Sequence, residues 1–391
     1  MNILITVKTY WPEVNGVQNV TQYQAEGLVE RGHKVTVITS DYQGKYIAKE
    51  EHNGVSIIRL PIYDSNTIHH GNKKEFQDLV LNITKKCDAM LNVCLQGWAG
   101  DWVIPILSKI SCKKVLMNHS MHDFVWRKSD FRSIKDFGKK IIKNVKYSIF
   151  YRFSWKYIMQ YDTVAFSHEK DYALEYFENH GYKNNYVLYN AVDDTFFDTD
   201  NSNKKNIILN VGTYNDRKNQ LKTLELFYRA ETGDYELVLI GMPDNEYYKQ
   251  LHNANKKLSE KYGEKQVSIL CNIDSELTTN YFKQSKIYMT NSTWECLPVS
   301  LIDATAGGAS YLSTDVGVIR YIPGGVIANS DEEMIENLES LIKGDWEKYG
   351  KIAKENSEKN FRKKAQVDKL ETILKKEDYN FEPDSDCYCH V

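Results

Sequence analysis

The chain has 391 residues, which is long enough for two domains that each bury a full core. Apolar residues make up 42% and charged residues 26%, ordinary values for a soluble globular protein. The formal net charge of −3 excludes a protein that is basic overall, so nucleic acid is not an expected partner. There is no apolar run of about 18 residues, hence no expected transmembrane helix. The start, MNILITVKTYWPE, lacks the charged-then-apolar layout of a signal peptide and reads as a first strand. Seven scattered cysteines in a chain of this kind point to reduced thiols in the cytosol. The tail Cys387-Tyr388-Cys389-His390 reads as a frayed terminus rather than a metal grip.

In chain order, short β-branched or aliphatic runs alternate with longer amphipathic stretches, the pattern of βαβ units and parallel sheets. Expected strands in the first half are Ile3–Val7, Lys34–Thr39, Val55–Leu60, Lys113–Asn118, Thr163–Ser167 and Tyr186–Tyr189. A helix is expected over Gln18–Arg31, stopped by Gly32. In the second half the expected strands are Asn206–Val211, Glu236–Ile240, Gln266–Leu270, Ile287–Thr290 and Ser310–Thr314. Asp193 to Lys205 is rich in Asp, Asn, Ser and Thr, a hinge-like composition. The expected division is an N-terminal Rossmann-like domain over 1–192, a linker over 193–205, a C-terminal Rossmann-like domain over 206–362, and a helical segment and tail over 363–391. The fold class is α/β: two doubly wound domains facing a central cleft, with ligands beyond the carboxyl ends of the strands.

The segment TNSTWECLPVSLIDATAGG, Thr290 to Gly308, carries the most chemistry. Glu295 lies in a loop, Pro298 is expected at the first helical position, and Asp303 follows inside that helix. The free N–H groups of Val299 and Ser300, with the helix dipole, form a site for negative charge. Asp303 leans back toward the same helix end and sits among mostly apolar neighbours, where a carboxylate needs hydrogen bonds. A sugar nucleotide supplies both partners: hydroxyls for the acids and phosphates for the helix start. The plainer alternative is a buried helix that happens to carry two acids.

NVGTYNDRKNQ, Asn210 to Gln220, follows a strand. Lys218 is a mobile point charge and Arg217 a rigid fork, and both suit a pyrophosphate or simply face solvent. Gly16, in KTYWPEVNGVQNV, precedes a helix and lets backbone N–H groups come close to a ligand. No G-x-G-x-x-G is present, so a dinucleotide fingerprint is absent. His119 ends a strand in MNHSMHDF. His119, His122 and Asp123 lack the fixed third-ligand spacing of a metal site. The D-x-D strings Asp198-Thr199-Asp200 and Asp384-Ser385-Asp386 do not follow strands, so no metal site is expected in them.

From Arg127 to Gln160 there are ten Lys or Arg and two Asp. Ile134, Phe137, Ile141, Val145 and Ile149 recur at helical spacing, with Lys135, Lys139, Lys143 and Lys146 on another side. Phe150, Phe153 and Trp155 add aromatics. Two readings stand side by side. Such a helix lies on an anionic membrane surface, or it packs its apolar face on its own domain with lysines outward.

The E-x7-D segment at Glu295 and Asp303 resembles the E-x7-E signature of retaining glycosyltransferases of family 4, the glycosyl transferases group 1, which have the GT-B fold. Asp303 replaces the second Glu and Cys296 a usual small residue. The resemblance implies that Glu295 contacts the donor sugar and Asp303 the ribose. It implies that Gly16 belongs to a loop that closes over the donor phosphate and the acceptor, that Lys218 binds the donor phosphates, and that His119 lies beside the donor sugar. Thr213 stands at the usual arginine place, so Arg217 substitutes from another position. LVLIG, ending at Gly241, and ILCNIDSEL match further family segments; backbone around Asn272 and Ile273 would read the base. Gly212, Pro298, Val299 and Ser300 complete the expected donor set, and Glu295, Lys218 and His119 the catalytic one.

The implied activity is transfer of a sugar, hexosyl in type, from a nucleotide-sugar to a glycan or lipid-linked acceptor with retention, in surface polysaccharide or glycoconjugate synthesis. No metal or other cofactor is expected, since lysine and helix dipole replace it. The expected location is cytoplasmic; on the first of the two readings of residues 127–160, the protein also docks peripherally on a membrane. Two rivals share the fold: a sugar-nucleotide epimerase and a non-catalytic sugar-nucleotide binding protein.

Overall fold

The computed structural model describes residues 1–375, apart from 14, 42, 66, 67, 120, 122, 123, 127, 132 and 198–202. Their contacts cluster into two units. The first comprises the described residues of Met1–Asp123, Lys143–Leu188 and Val367–Val391; the second those of Phe124–Ile142 and Tyr189–Gln366.

The first unit is built on strands β1 (Asn2–Thr6), β2 (Lys34–Ser40), β3 (Lys49–His52), β4 (Val55–Leu60), a small hairpin of β5 (Tyr63–Ser65) and β6 (Ile68–His70), β7 (Ala89–Val93), β8 (Lys113–Asn118), β9 (Thr163–Phe166) and β10 (Asn185–Val187). The main sheet has the order β10-β9-β8-β7-β1-β2-β4-β3. All its pairs are parallel except β3 with β4. Central strands such as β7 are buried along their whole length, as a sheet covered on both faces requires. The helix Gly16–Glu30 follows β1 and stops where Gly32 takes φ +81°.

The helix Lys363–Leu374 closes this unit from far along the chain. Leu370, Ile373 and Leu374 join the core formed by Ile3, Ile5, Val37 and Leu91. Arg31 reaches Asp368 at 2.6 Å, and His33 Nε2 lies 2.9 Å from Glu371. Gly27 faces Val367 so closely that a Cβ there would sit 2.9 Å from its Cγ2.

The second unit has strands β11 (Lys205–Val211), β12 (Glu236–Gly241), β13 (Val267–Cys271), β14 (Ser285–Thr290), β15 (Ser310–Thr314) and β16 (Gly325–Ala328). They form one parallel sheet in the order β13-β12-β11-β14-β15-β16. One core cluster includes Leu209, Val238, Tyr288, Leu301 and Ile302; a second includes Leu224, Phe227, Leu237 and Met289. Phe196 and Phe197, within the acid-rich stretch, are buried in the first of these.

The helix Ile134–Ile158 is one continuous element. Tyr147, Tyr151 and Ile158 are buried, whereas Ile134, Ile141, Val145 and Ile149 are exposed. The apolar stripe read from the sequence therefore does not pack inward; the tyrosines on another side do. No helix among the described residues is long and apolar enough to cross a membrane.

The late helix should be as costly to damage as any core element. Leu370 is fully buried. Leu370→Ala should destabilise the first unit by about 2–5 kcal/mol. Hydrogen exchange should show lost protection in β1 and β7. Unchanged exchange there would mean that the helix is peripheral.

Candidate active site

In the second unit the chain runs outward through β11, β12 and β13, then returns to β14 on the other side of β11. The strand order therefore reverses between β11 and β14. That switch point, at the carboxyl ends of parallel strands, is where open α/β sheets take ligands.

Local backbone rules fix these loops. Gly212 N–H donates to the Ile240 carbonyl at 3.0 Å, and Tyr214 N–H to that of Met242 at 3.0 Å. The two chain segments cross so tightly that a Cβ at Gly241 would lie 2.5 Å from the Gly212 oxygen and 2.9 Å from the Tyr214 ring. Only glycine fits there. The Asn215 side chain accepts from Lys218 N–H at 3.0 Å and turns the chain. Asn219 takes a left-handed conformation, φ 53°, and its amide reaches the Asn291 carbonyl at 3.3 Å. Thr293 N–H donates to the Arg217 carbonyl at 2.8 Å. The β11 and β14 loops are thus stitched together.

The stitching brings three charged groups into contact. Lys218 Nζ lies 2.7 Å from Glu295 Oε1, and an Arg217 guanidinium nitrogen 3.2 Å from Oε2. The Glu295 side chain is 6% exposed, that of Lys218 14% and that of Arg217 39%. Glu295 is therefore a desolvated carboxylate clamped by two cations, which offset the cost of burying it. The Lys218 contact is ionic: Oε1 has no hydrogen-bond partner among the described residues. Arg217 also lies over the Trp294 ring, 5.7 Å from its centroid. Behind the loop, Gly317 has φ +58°. A Cβ there would overlap the Glu295 carbonyl and sit 2.5 Å from that of Cys296. Val318 N–H holds the Cys296 carbonyl at 3.2 Å.

The helix Val299–Ala306 begins one residue later than its sequence suggests. Pro298 is the N-cap, not the first helical residue: its ψ of 120° is extended, while its carbonyl already accepts from Leu301 N–H. The N–H groups of Val299 and Ser300 follow it without a protein acceptor among the described residues. The Ser300 hydroxyl pairs with Tyr288 at 2.7 Å, and the Tyr288 hydroxyl also donates to the Val211 carbonyl at 3.2 Å. Asp303 makes no side-chain hydrogen bond among the described residues. Burial, with a smaller contribution from Asp193, pushes its carboxyl up to about 8.

Beyond β12 and β13, Gly241 and Asn272 meet at one hydrogen bond. Asn272 N–H donates to the Gly241 carbonyl at 3.1 Å, and Asn272 has φ 54°. Ile273 packs against the core.

Gly16 and His119 lie in the first unit. Gly16 is the first residue of its helix rather than a loop residue, because Asn15 caps the end by accepting from Gln18 N–H at 3.0 Å. His119 follows β8; its Nε2 is buried with no hydrogen-bond partner among the described residues. Burial pushes its pKa down to about 4, so the imidazole is neutral near pH 7. His122, Asp123, both D-x-D strings and the Cys387–His390 tail include residues outside those described. Among the described residues no group of three or more His, Cys, Asp or Glu is placed to hold a metal.

The switch point of the first unit, between β1 and β7, holds a cluster that the sequence did not flag. His69 lies 2.7 Å from Asp64 and 3.2 Å from Asp101, and Lys8 is 2.9 Å from Asp64. The Tyr151 hydroxyl donates to Asp101 at 3.2 Å. Burial opposes charge on His69, but its bonds to Asp101 and Asp64 prevail and push it up to about 9. Asp64 is five residues from His69 in sequence but Asp101 is 32, a pairing no local motif announces.

Residues 192–368 match the family of glycosyl transferases group 1. The described chain superposes on sucrose-phosphate synthase from Thermosynechococcus elongatus with a TM-score of 0.68 at 14% identity, covering 95% of this chain and 98% of that one. A UDP-forming trehalose-phosphate synthase from Burkholderia xenovorans gives a TM-score of 0.63 at 11% identity, covering 95% and 98%. At such identities the likeness shows the fold alone. An uncharacterized 42.6 kDa protein in the cps region of Klebsiella pneumoniae is 42% identical over 62 residues, spanning 16% of each chain. The chain has the GT-B fold, and most of its second unit lies within the match to the group 1 glycosyl transferases.

Gly317, Tyr288 and Trp294 support this site without having been read from the sequence. Only Gly317, a turn-forming residue just after a strand, left a local signal. The buried Asp303 gives a pH test. Its folded pKa lies above its ordinary value of 3.8, so the folded state loses stability as pH rises from about 4 to about 8. Asp303→Asn should therefore match wild type in urea unfolding at pH 4. It should exceed wild type at pH 9, by up to about 5 kcal/mol. Equal differences at both pH values would contradict a desolvated Asp303.

Proposed function

We propose that this protein transfers a sugar from a nucleotide-sugar to a hydroxyl of a glycan or lipid-linked saccharide, with retention of anomeric configuration. The observation that carries the reading is the Lys218–Glu295–Arg217 contact at the β11/β14 switch point. Two cations, together with the Val299 and Ser300 N–H groups that have no protein acceptor among the described residues, suit a diphosphate. The buried Asp303, without a side-chain partner among the described residues, suits the hydroxyls of a ribose. Glu295 suits the sugar hydroxyls once a diphosphate draws its cations away. The matched family supports group transfer, and the similar fold of a UDP-forming synthase supports a nucleoside diphosphate as leaving group.

In this reading the acceptor oxygen bonds to the anomeric carbon as the bond from that carbon to the phosphate oxygen breaks. The acceptor proton passes to the departing diphosphate on the same face. Lys218, Arg217 and the helix start hold the charge that develops on the diphosphate. His119, neutral in the free protein, offers a hydrogen bond to the sugar. The remaining candidates have supporting parts. Gly212 and Gly241 let backbone approach the phosphates, Asn272 and Ile273 face the base, and Gly16 lies near the acceptor. A place in surface polysaccharide synthesis agrees with the cps-region neighbourhood of the relative that is 42% identical over 62 residues; work at the cytosolic face of a membrane is part of the same reading.

Screening nucleotide-sugars for hydrolysis and transfer tests the reading; isomerised sugar without acceptor would instead identify an epimerase. Lys218→Ala should lower turnover by about two orders of magnitude or more. Glu295→Gln should lower turnover yet tighten binding of the free nucleoside diphosphate, because it releases both cations. A Glu295→Gln variant that binds the diphosphate more weakly would overturn the proposed competition. Because Lys218 and Arg217 take the charge-balancing part, EDTA should leave turnover unchanged; loss restored by a divalent cation would refute this.

A further inference from the structure

We propose that the helix Ile134–Ile158, with the aromatic cluster at its start, is a docking face for an anionic phospholipid bilayer. The inference gives the proposed membrane location a surface, but its test reads lipid binding without turnover, so it stands or fails apart from the transfer reaction.

The helix has two apolar sides. One carries Tyr147, Tyr151 and Ile158, all buried. The other carries Ile134, Ile141, Val145, Ile149 and Phe153, spaced by seven, four, four and four residues, which places them in one stripe. That stripe is open to solvent: Ile134 is 93% exposed, Val145 52%, Ile149 53% and Phe153 71%. Ile142, 70% exposed, widens it. Single exposed apolar residues are ordinary, but a continuous stripe along a whole helix marks an interaction surface.

The aromatic cluster is a separate observation at the same place. Trp126, Phe131 and Phe137 are all exposed, and their ring centroids lie 5.5–5.8 Å apart. Exposed Trp and Phe beside an apolar stripe suit the boundary between headgroups and acyl chains.

Charge selects the occupant. Lys135, Lys139 and Lys146 are exposed along one flank, and Arg152 and Lys156 are exposed toward the C-terminal end. Lys140 does not belong to this face; it is buried and donates to the Val125 carbonyl at 2.7 Å. A second copy would bring the same cations against themselves, whereas an anionic leaflet neutralises them. A helix lying in the plane of the interface needs only this layout: an apolar stripe, aromatic anchors and lysines able to reach headgroups.

Flotation of the full chain with phosphatidylcholine vesicles, with and without phosphatidylglycerol, tests the proposal. Wild type should float with the anionic vesicles and be released by high salt. Ile141→Glu with Ile149→Glu should abolish flotation. Lys135→Glu with Lys139→Glu should weaken partitioning about thirtyfold or more. All four positions are exposed, and an unchanged thermal transition confirms that each variant is folded. Brominated lipids should quench the fluorescence of wild type, and less so that of Trp126→Phe. Wild type that stays unbound at low salt would overturn the proposal. So would flotation unaffected by the glutamates, or stripe variants whose only effect is to dissociate an oligomer.

Discussion

Glu295 binds two loops into one site. Its carboxylate is nearly out of water, and such a group persists only when opposite charge lies against it. Lys218 and Arg217 supply that charge from the loop after β11, while Glu295 comes from the loop after β14. Much of the surrounding geometry serves this contact. Gly317 leaves room for the Glu295 backbone, Thr293 holds the Arg217 carbonyl, and Asn219 in its left-handed conformation ties the β11 loop to Asn291. A group that satisfies its cations in the free protein gives them up only to a stronger anion, and a diphosphate carries more charge than a carboxylate.

The two units place their polar clusters by one topological rule. In each, the strand order reverses beside the first strand, and the loops at that reversal carry the ionic residues. In the second unit these are Arg217, Lys218 and Glu295. In the first they are Lys8 and Asp101, joined by Asp64 and His69. The clusters differ in electrostatic character. His69 is held charged between two carboxylates, whereas His119, with burial unopposed, is held neutral.

Strands made of aliphatic runs were legible in the sequence: Val55–Leu60, Lys113–Asn118 and Ser310–Thr314 have the expected limits. Five others were not, among them the two short strands of the β5–β6 hairpin. Ala89–Val93 contains Asn92, which is buried because its amide donates to Thr6 and to the Ala99 carbonyl, both at 2.9 Å. Lys49–His52 is a charged edge strand, and Gly325–Ala328 begins on glycine, so neither shows a strand pattern. The spacing of Glu295 and Asp303 was readable because a helix start lies between them. Their different environments were not. The cations on Glu295 lie 77 and 78 residues away in sequence, and the desolvation of Asp303 depends on packing of the whole helix. The basic helix showed its composition but not its orientation, because Tyr147 and Tyr151 supply an inward side that the isoleucine pattern does not mark.

The helix Lys363–Leu374 gives the chain an unusual order of assembly. The first unit's core needs Leu370, Ile373 and Leu374, yet its previous segment ends at Leu188. The intervening residues must be synthesised before that core can close, a delay of about 10–40 s at ribosomal speed. Throughout that interval the nascent first unit presents an uncovered apolar surface around Gly27 and Leu28. The second unit, whose residues are nearly contiguous, has all of its own sheet by Ala328, and Phe361 completes its core shortly before the first unit receives Leu370. The N-terminal half of this protein is therefore finished only after its C-terminal half has been made, and its exposure to chaperones and proteases spans the synthesis of the whole second unit.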